Sequence, residues 1–464
     1  MVLDECGLSA YHLRVLAGLN FLSIGHNTAA ALLIDGHISC AISEERLNRD
    51  KHSSDFPWKS IASCLSFGGL KADDIDCVAF GWNYERFIRE LYLERALHDL
   101  NQFKYLIRDN DKLSGFLQFG DELRERLNFK NQFRYYNHHH CHIAYSFRTC
   151  GFNEANVIRL DGAGEKETGV LGHYSRDGLR EVCTYDFPNS LGSAYAALTY
   201  YLGFKHHCGE GIIMGLASYG KPQTVIPNKG RSYIDVFREI LPADDKGNYQ
   251  VNYDWLVLGL MKEKWVTEKF KELFGPVREV GSTMTQHHMN IAAALQLRLE
   301  EIVIAMAKQL HDTHPCPNLA LTGGVALNCV MNSRIESFGF YKNIYIPPAP
   351  ADNGVAVGAC LECYRELAPS IAHEITFTQG MIGLGPSYSQ ERCRNAFIEA
   401  GLTAKEPSDL AAVGAEFLKQ GKIIGWFEVR SEFGPRALGH RSILTRPYPA
   451  EMKDIRNSRV KFRE

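Results

Sequence analysis

No window of this sequence reaches the unbroken apolar length that a membrane span requires. Nor is there an excess of either charge. The balance of 51 Lys+Arg against 54 Asp+Glu leaves a net charge of −3, with no basic tail or stripe to suit bulk nucleic acid. Residues 1–16 carry acidic residues and His rather than the basic start of a secretory signal, so a cytoplasmic protein with no membrane partner is expected. The 13 cysteines show no repeating interval, and their odd number reads as reduced, mostly buried thiols rather than a disulfide framework. Cys360 and Cys363 have redox-motif spacing but fall in a run, 354–364, that reads as a packed helix; Cys208, beside His206 and His207, lacks a second pair of ligands. What is present, 45% hydrophobic and 23% charged residues over 464 positions, describes a globular α/β protein of two or three domains.

The chain repeats one plan. Strand-like residues 15–21 and 29–34 flank a break at Gly25-His26-Asn27; the hairpin signal Asp35-Gly36 then leads to 37–43. The plan returns about 140 residues later as 157–160, a glycine-containing break, 169–174, Asp177-Gly178 and 179–185. Two such three-stranded units followed by helices predict a duplicated ribonuclease-H-like (actin-like) α/β fold with ligands in the cleft between its halves. A charged, aromatic, helix-rich region at 84–129 lies between them. Residues 284–314 place Ile291, Leu295, Leu299, Ile302 and Met306 at helical spacing, stopped by Pro315 and Pro317.

The chemistry concentrates in a few places. Four histidines occupy five positions in Tyr136-Asn137-His138-His139-His140-Cys141-His142, with His138 and His142 one helical turn apart on one face. Nineteen residues after His142, an apolar strand ends in Asp161-Gly162-Ala163-Gly164-Glu165, which brings a hard oxygen toward the same point. Two imidazoles and a strand-end carboxylate predict a divalent metal site. The strand 318–322 runs into Gly323-Gly324-Val325-Ala326-Leu327-Asn328, a turn and helix start that offer backbone N–H groups to a phosphate or carbonyl oxygen. Asp352-Asn353-Gly354 is a second strand-end carboxylate before a helix. Residues 367–386 read as a linker. Beyond it, Arg430, Ser431, Arg436 and Arg441 surround Gly434-Pro435 in a loop suited to clamping a polyanion.

In order along the chain, Gly25-His26-Asn27-Thr28-Ala29-Ala30, Glu44-Glu45-Arg46, Lys51-His52, the histidine run, Asp161-Gly162, Met214-Gly215-Leu216-Ala217-Ser218-Tyr219-Gly220, Thr322 to Asn328, Asp352-Asn353-Gly354 and Phe433-Gly434-Pro435-Arg436-Ala437-Leu438-Gly439 resemble the O-carbamoyltransferase family of nodulation-factor and antibiotic biosynthesis. The resemblance implies an actin-like unit over 1–366, a linker at 367–386 and part of a YrdC-like α/β domain at 387–464. The YrdC-like unit would make carbamoyl-adenylate from carbamoyl phosphate and ATP, and the actin-like unit would pass the carbamoyl group to a hydroxyl of a sugar or natural product. Carried over by motif, His138, His142, Asp161 and Asp352 would hold Fe(II) or another divalent metal. Gly162, Gly323, Gly324, Val325, Asn328 and Asn353 would line the nucleotide, with Ser431 and Lys461 as further contacts in the C-terminal unit. His26 would serve as general base, Lys51 would neutralise phosphate, and Arg436 and Arg441 would clamp it. A homodimer is the default association.

Two departures stand inside the motifs. Asn27 occupies a position where the family commonly has Asp, and Ile212 lies where a Lys is common. The family also continues past Glu464 for roughly a hundred residues, a domain-sized remainder. The competing expectation is therefore a catalytically incomplete nucleotide- and metal-binding accessory protein or a gene fragment. A sugar kinase of the same superfamily gives no role to the histidine run.

Overall fold

The computed structural model describes residues 14–19, 27–100, 103–175, 177–259, 264–369 and 382–461. His26 and most of the expected linker lie outside the described residues. The first half carries β1 (Arg14–Leu19), β2 (Ala29–Ile34), β3 (His37–Ser43), α1 (Trp58–Gly68), β4 (Cys77–Phe80), β5 (Gln132–Tyr135) and α2 (His138–Thr149). The second carries β6 (Ala155–Leu160), β7 (Glu167–Ser175), β8 (Gly178–Asp186), α3 (Leu191–Tyr201), α4 (Gln286–Thr313), β9 (Asn318–Thr322), α5 (Cys329–Phe338), β10 (Asn343–Tyr345) and α6 (Val355–Leu367).

The two sheets share one topology. Their orders are β3-β2-β1-β4-β5 and β8-β7-β6-β9-β10, in each case an antiparallel meander of three strands extended by two parallel ones. That is the expected duplicated ribonuclease-H-like, actin-like α/β architecture. The Asp35-Gly36 turn works as its sequence suggests: φ is 50° at Asp35 and 81° at Gly36, the left-handed pair that a tight two-residue hairpin requires. The expected helix at 284–314 is α4, and its apolar stripe lies in the core of the second half with Leu198 and Leu321.

The last helix of each half crosses over. α2 follows the first sheet but packs on β6, β7 and β9 of the second; α6 follows the second sheet but packs on β1, β2 and β4 of the first. The two helices also pack on each other, and Gly358 makes that possible. A Cβ there would stand 1.9 Å from the Cys141 carbonyl oxygen, so only a hydrogen fits at the crossing. Cys360 and Cys363 are buried in α6 and unbridged, as are Cys40, Cys64, Cys77, Cys141 and Cys316.

Residues 382–461 form a smaller unit with α7 (Gln390–Glu399), α8 (Leu410–Lys419) and the antiparallel pair β11 (Ile424–Phe427) and β12 (Arg441–Leu444). Its loop 430–436 is tied to the first half. Arg430 donates to the Ser39, Leu384 and Gly385 carbonyls and lies over the Phe67 ring, Arg46 donates to the Gly434 carbonyl, and Phe433 is buried in the first half's core. Glu432 holds the loop's shape by accepting from the backbone N–H groups of Leu438, His440 and Arg441. No described helix is long and apolar enough to cross a membrane.

The crossing yields a direct prediction. Gly358→Ala should destabilise the protein by roughly 1–3 kcal/mol through overpacking against a rigid carbonyl. The check is a lowered thermal midpoint without added ligand, with Ala359→Gly as a control for propensity.

Candidate metal centre and its cleft

The histidine run starts a helix because Asn137 caps it, its side chain accepting from the His140 N–H at 3.0 Å. A second orphan donor, the His138 N–H, goes to Glu165 at 3.0 and 3.2 Å. The helix sorts the four imidazoles by direction. His140 points outward to Glu181, whereas His138, His139 and His142 are buried. His138 and His142 present their Nε2 atoms to each other at 3.2 Å. The Nδ1 of His138 lies 3.3 Å from the Gly81 carbonyl, so the tautomer protonated there leaves the Nε2 lone pair facing inward.

A strand end and a helix start complete the cluster; Asp352, expected at a strand end, instead opens the short 3-10 turn Asp352–Gly354, seven residues past β10. Asp161 closes β6 and stands 3.1 Å from His142 and 4.0 Å from His138. Asp352, just before α6, stands 3.8 and 3.7 Å from the same nitrogens. One donor atom from each of the four residues lies within 4.8 Å of every other, and all four residues are buried. Burial, with the charge of His142 beside it, pushes His138 down to about 3 and keeps it neutral. For Asp161 burial opposes ionisation, but Arg159 and His142 outweigh it and hold the carboxyl well below its usual range. Neutral imidazole and ionised carboxylate, the forms of His138 and Asp161, are those that ligate a cation. At His142 burial is outweighed by hydrogen bonds to Asp161 and Asp352, which raise its pKa, so a cation would displace its proton. The buried Nδ1 of His142 has no hydrogen-bond partner. Converging lone pairs of two nitrogens and two carboxylates in a closed site fit a divalent transition metal.

A second group, His139, Glu165 and Glu167, lies behind the first. Its positions already hold cations: Arg159 reaches His139 at 3.4 Å, and Arg86 pairs with Glu167. Glu165, raised to about 7 by burial against the pull of two N–H groups, accepts from Asn83 as well as from His138. It anchors the ligand helix. The Asp-Gly-Ala-Gly-Glu motif contains it, but only the strand-end position of Asp161 marks a carboxylate there as chemical. Gly164 is required there, since a Cβ would lie 2.3 Å from the His139 ring.

The cluster opens into a cavity of about 650 Å³. Of the expected residues, Lys51, Asp161, Gly162, Gly324, Val325, Asn328, Asp352, Asn353 and Arg436 line it. Gly323 has φ 86° and presses on β6, where a Cβ would meet the Leu160 carbonyl at 2.2 Å; a Cβ on Gly324 would come within 2.9 Å of the Asp161 carboxylate. The glycine turn thus lies directly against the metal-ligand strand. Asn328 has its amide engaged by Gln296 and the Met331 N–H. Lys51 pairs with Glu45 at 3.2 Å, and Asn27 contacts His52 at 2.8 Å. Arg436 donates to the Leu327 carbonyl and so reaches the cavity from the C-terminal unit.

The other loop residues are placed differently. Arg441 spends its guanidinium on the carbonyls of Glu428, Val429 and His440 and lies over Phe427. Ser431 packs on Pro386, and neither they nor Lys461 line the cavity. Arg430 and Arg441 brace the loop, and Arg436 alone of the three arginines faces the cleft.

The topology defines a duplicated ribonuclease-H-like protein with a candidate metal centre in its cleft. Comparison with known sequences gives the family: the chain belongs to the carbamoyltransferase family. The family's N-terminal profile matches residues 17–361 and its C-terminal profile residues 415–464. Among its relatives, the nodulation protein NolNO of Sinorhizobium fredii is 33% identical over 99% of this chain and 63% of its own length. Nodulation protein NolO of Bradyrhizobium diazoefficiens is 34% identical over 71% of this chain and 56% of its own. An uncharacterised Synechocystis protein, sll1178, is 34% identical over 99% of this chain, which spans 73% of it. The chain therefore spans less than two thirds of either nodulation protein.

Removing a ligand should be felt at the metal before anything else. His142→Ala or Asp352→Asn should weaken binding of Co(II), read from its visible absorption, by roughly tenfold or more. Arg441→Lys should leave it unchanged.

Proposed function

We propose that this chain carries out ATP- and metal-dependent O-carbamoyl transfer, from carbamoyl phosphate through carbamoyl-adenylate to the hydroxyl of a small-molecule acceptor. One observation carries the reading. Asp161 and Asp352 of the four-residue cluster, Gly324 of the glycine turn and Arg436 line a single cavity between the duplicated halves, with His138 and His142 buried directly behind the two carboxylates. His138, His142, Asp161 and Asp352 would hold a divalent cation, by this reading Fe(II), and the chemistry it would supply there is Lewis-acid polarisation of the carbamoyl carbonyl.

The protein's own groups do the rest. Backbone N–H groups of the glycine turn, with Arg436, receive the nucleotide phosphates. Lys51, on the opposite wall and screened by Glu45, adds positive charge where phosphate enters. His26 is retained from the sequence as the base that takes the acceptor hydroxyl proton. Glu165 keeps His138 in place through the helix start rather than by touching substrate. The unit from residue 387 onward is taken as part of a YrdC-like domain that activates the carbamoyl group, with Ser431 and Lys461 as contacts there. Arg441 is assigned as a loop brace, since its donors are already spent.

The test is AMP release on mixing the chain with ATP, carbamoyl phosphate and ferrous iron. AMP that depends on carbamoyl phosphate, and falls by roughly tenfold or more in Arg436→Ala, is the expected result. ADP in its place would indicate a kinase. Absence of AMP from folded, metal-loaded protein would refute activation by this chain, and added carbamoyl-adenylate would then show whether transfer remains.

A further inference from the structure

The duplicated halves differ at the crossover between their two parallel strands. Between β9 and β10 the chain forms the turn at Gly324–Leu327 and the helix Cys329–Phe338. Between β4 and β5 it instead runs through Tyr84–Phe87, a π-helical stretch at Ile88–Leu93, then Glu94–His98, Phe103–Arg108 and Asn110–Leu127. This insertion reaches across the cleft. Arg86 pairs with Glu167 of β7, and Arg95 donates to the Phe187 carbonyl and lies over the Phe187 ring. It forms a roof held at both halves, with Phe87, Leu91 and Tyr92 lining the cavity.

The underside of the roof is a continuous ring wall that starts at a metal ligand. Trp82 lies 4.4 Å from His138 between ring centroids, Phe87 lies 5.7 Å from Trp82, and Tyr92 lies 5.6 Å from Phe87. All three line the cavity, together with Leu91 and, from the second half, Phe187 and Leu258. The wall ends at a polar point whose bonds are made internally. The Tyr92 hydroxyl donates to Asp109 at 3.0 Å, and Arg108 donates to both Asp109 oxygens at 2.9 and 2.7 Å. A cleft built for a polyhydroxylated or polycationic ligand needs acceptors and carboxylates facing the ligand. This wall offers aromatic and aliphatic surface, and a carboxylate already neutralised by its neighbour, while the cavity's other carboxylates and amides, among them Glu210, Asn328, Asp352 and Asn353, lie on other elements.

We propose that Trp82, Phe87, Leu91 and Tyr92 form the acceptor subsite, and that the acceptor is an alcohol with a flat, apolar body. Its ring system lies along this wall with its hydroxyl directed toward the His138 end. The inference rests on the transfer reading above and names its acceptor class. Phe87, Leu91 and Tyr92 act as specificity residues, since they are carried by the insertion and stand away from the metal ligands.

The experiment uses the full chain loaded with Co(II) and two probes, 2-naphthylmethanol and methyl α-D-glucoside, with binding followed by calorimetry. The aromatic alcohol should bind about tenfold or more tightly than the glucoside, and Leu91→Glu, which puts an unpaired carboxylate into the wall, should weaken it by at least a similar factor. The Co(II) absorption titration should be the same in variant and parent. Where Leu91→Glu does not fold, Phe87→Leu serves, with a several-fold loss expected from removal of one ring. Glucoside binding equal to or tighter than the alcohol, or alcohol binding unaffected by the variants, would overturn the subsite. Loss of Co(II) binding in parallel would also overturn it, by making the wall a support for His138 alone. AMP release needs no acceptor, so failure of the carbamoyl-activation reading is seen separately.

Discussion

The centre depends on two helices that touch at backbone distance. α2 carries both imidazoles and α6 begins just after Asp352, so their separation fixes the distance between nitrogen and oxygen donors. Gly358 against the Cys141 carbonyl sets that separation, and Gly354 repeats the device one turn earlier, where a Cβ would lie 2.7 Å from the Tyr145 ring of α2. Each helix grows from one half and packs on the other. The cleft is thus closed at its base by a contact between helices of both halves, and a change of one methyl group there bears on the distance between the two imidazoles and Asp352.

Around that contact the buried charges are arranged in layers. Asp161 is ionised because Arg159 lies 3.2 Å away, and Arg159 itself tolerates full burial because Asp161, Asp352, Glu165 and Glu167 surround it. Glu165 gives up its lone pairs to the N–H groups of Asn83 and His138 and so fixes the helix start to the strand end. A buried network of this kind contributes position more than stability, because each charge costs desolvation that its partners only offset. The same economy explains the C-terminal loop. Glu432 collects three N–H groups to shape it, and two of its arginines are used as braces, which leaves Arg436 to face the cleft.

Much of this was legible in local pattern. The Asp-Gly turns, the alternation of the strands and the i, i+4 histidines are short-range signals, and they located both meanders and three elements of the centre. Asp352 came with the family resemblance, and its carboxylate does stand with the other three. Long-range facts were not legible. Nothing near Glu165 announces that it will meet Asn83, far back along the chain, and nothing near Arg441 says that carbonyls of its own loop will consume its donors. The insertion from Tyr84 onward has no clean period, because a π-helical stretch interrupts it, so its role as a roof emerges only from where Arg86 and Arg95 land. For His26 and residues 370–381 the expectation stands on sequence alone.

The contact of Trp82 with His138 has an optical consequence. The chain holds five tryptophans, and this one shares van der Waals contact with an imidazole of the cluster while lying on the cavity wall. An open-shell ion held by that imidazole would sit close enough to quench the indole's emission, and an aromatic guest along the same wall would shift it. Trp82 would therefore report an ion at the cluster, or an aromatic guest along the wall, without a label, provided the other cavity tryptophan, Trp265, is replaced.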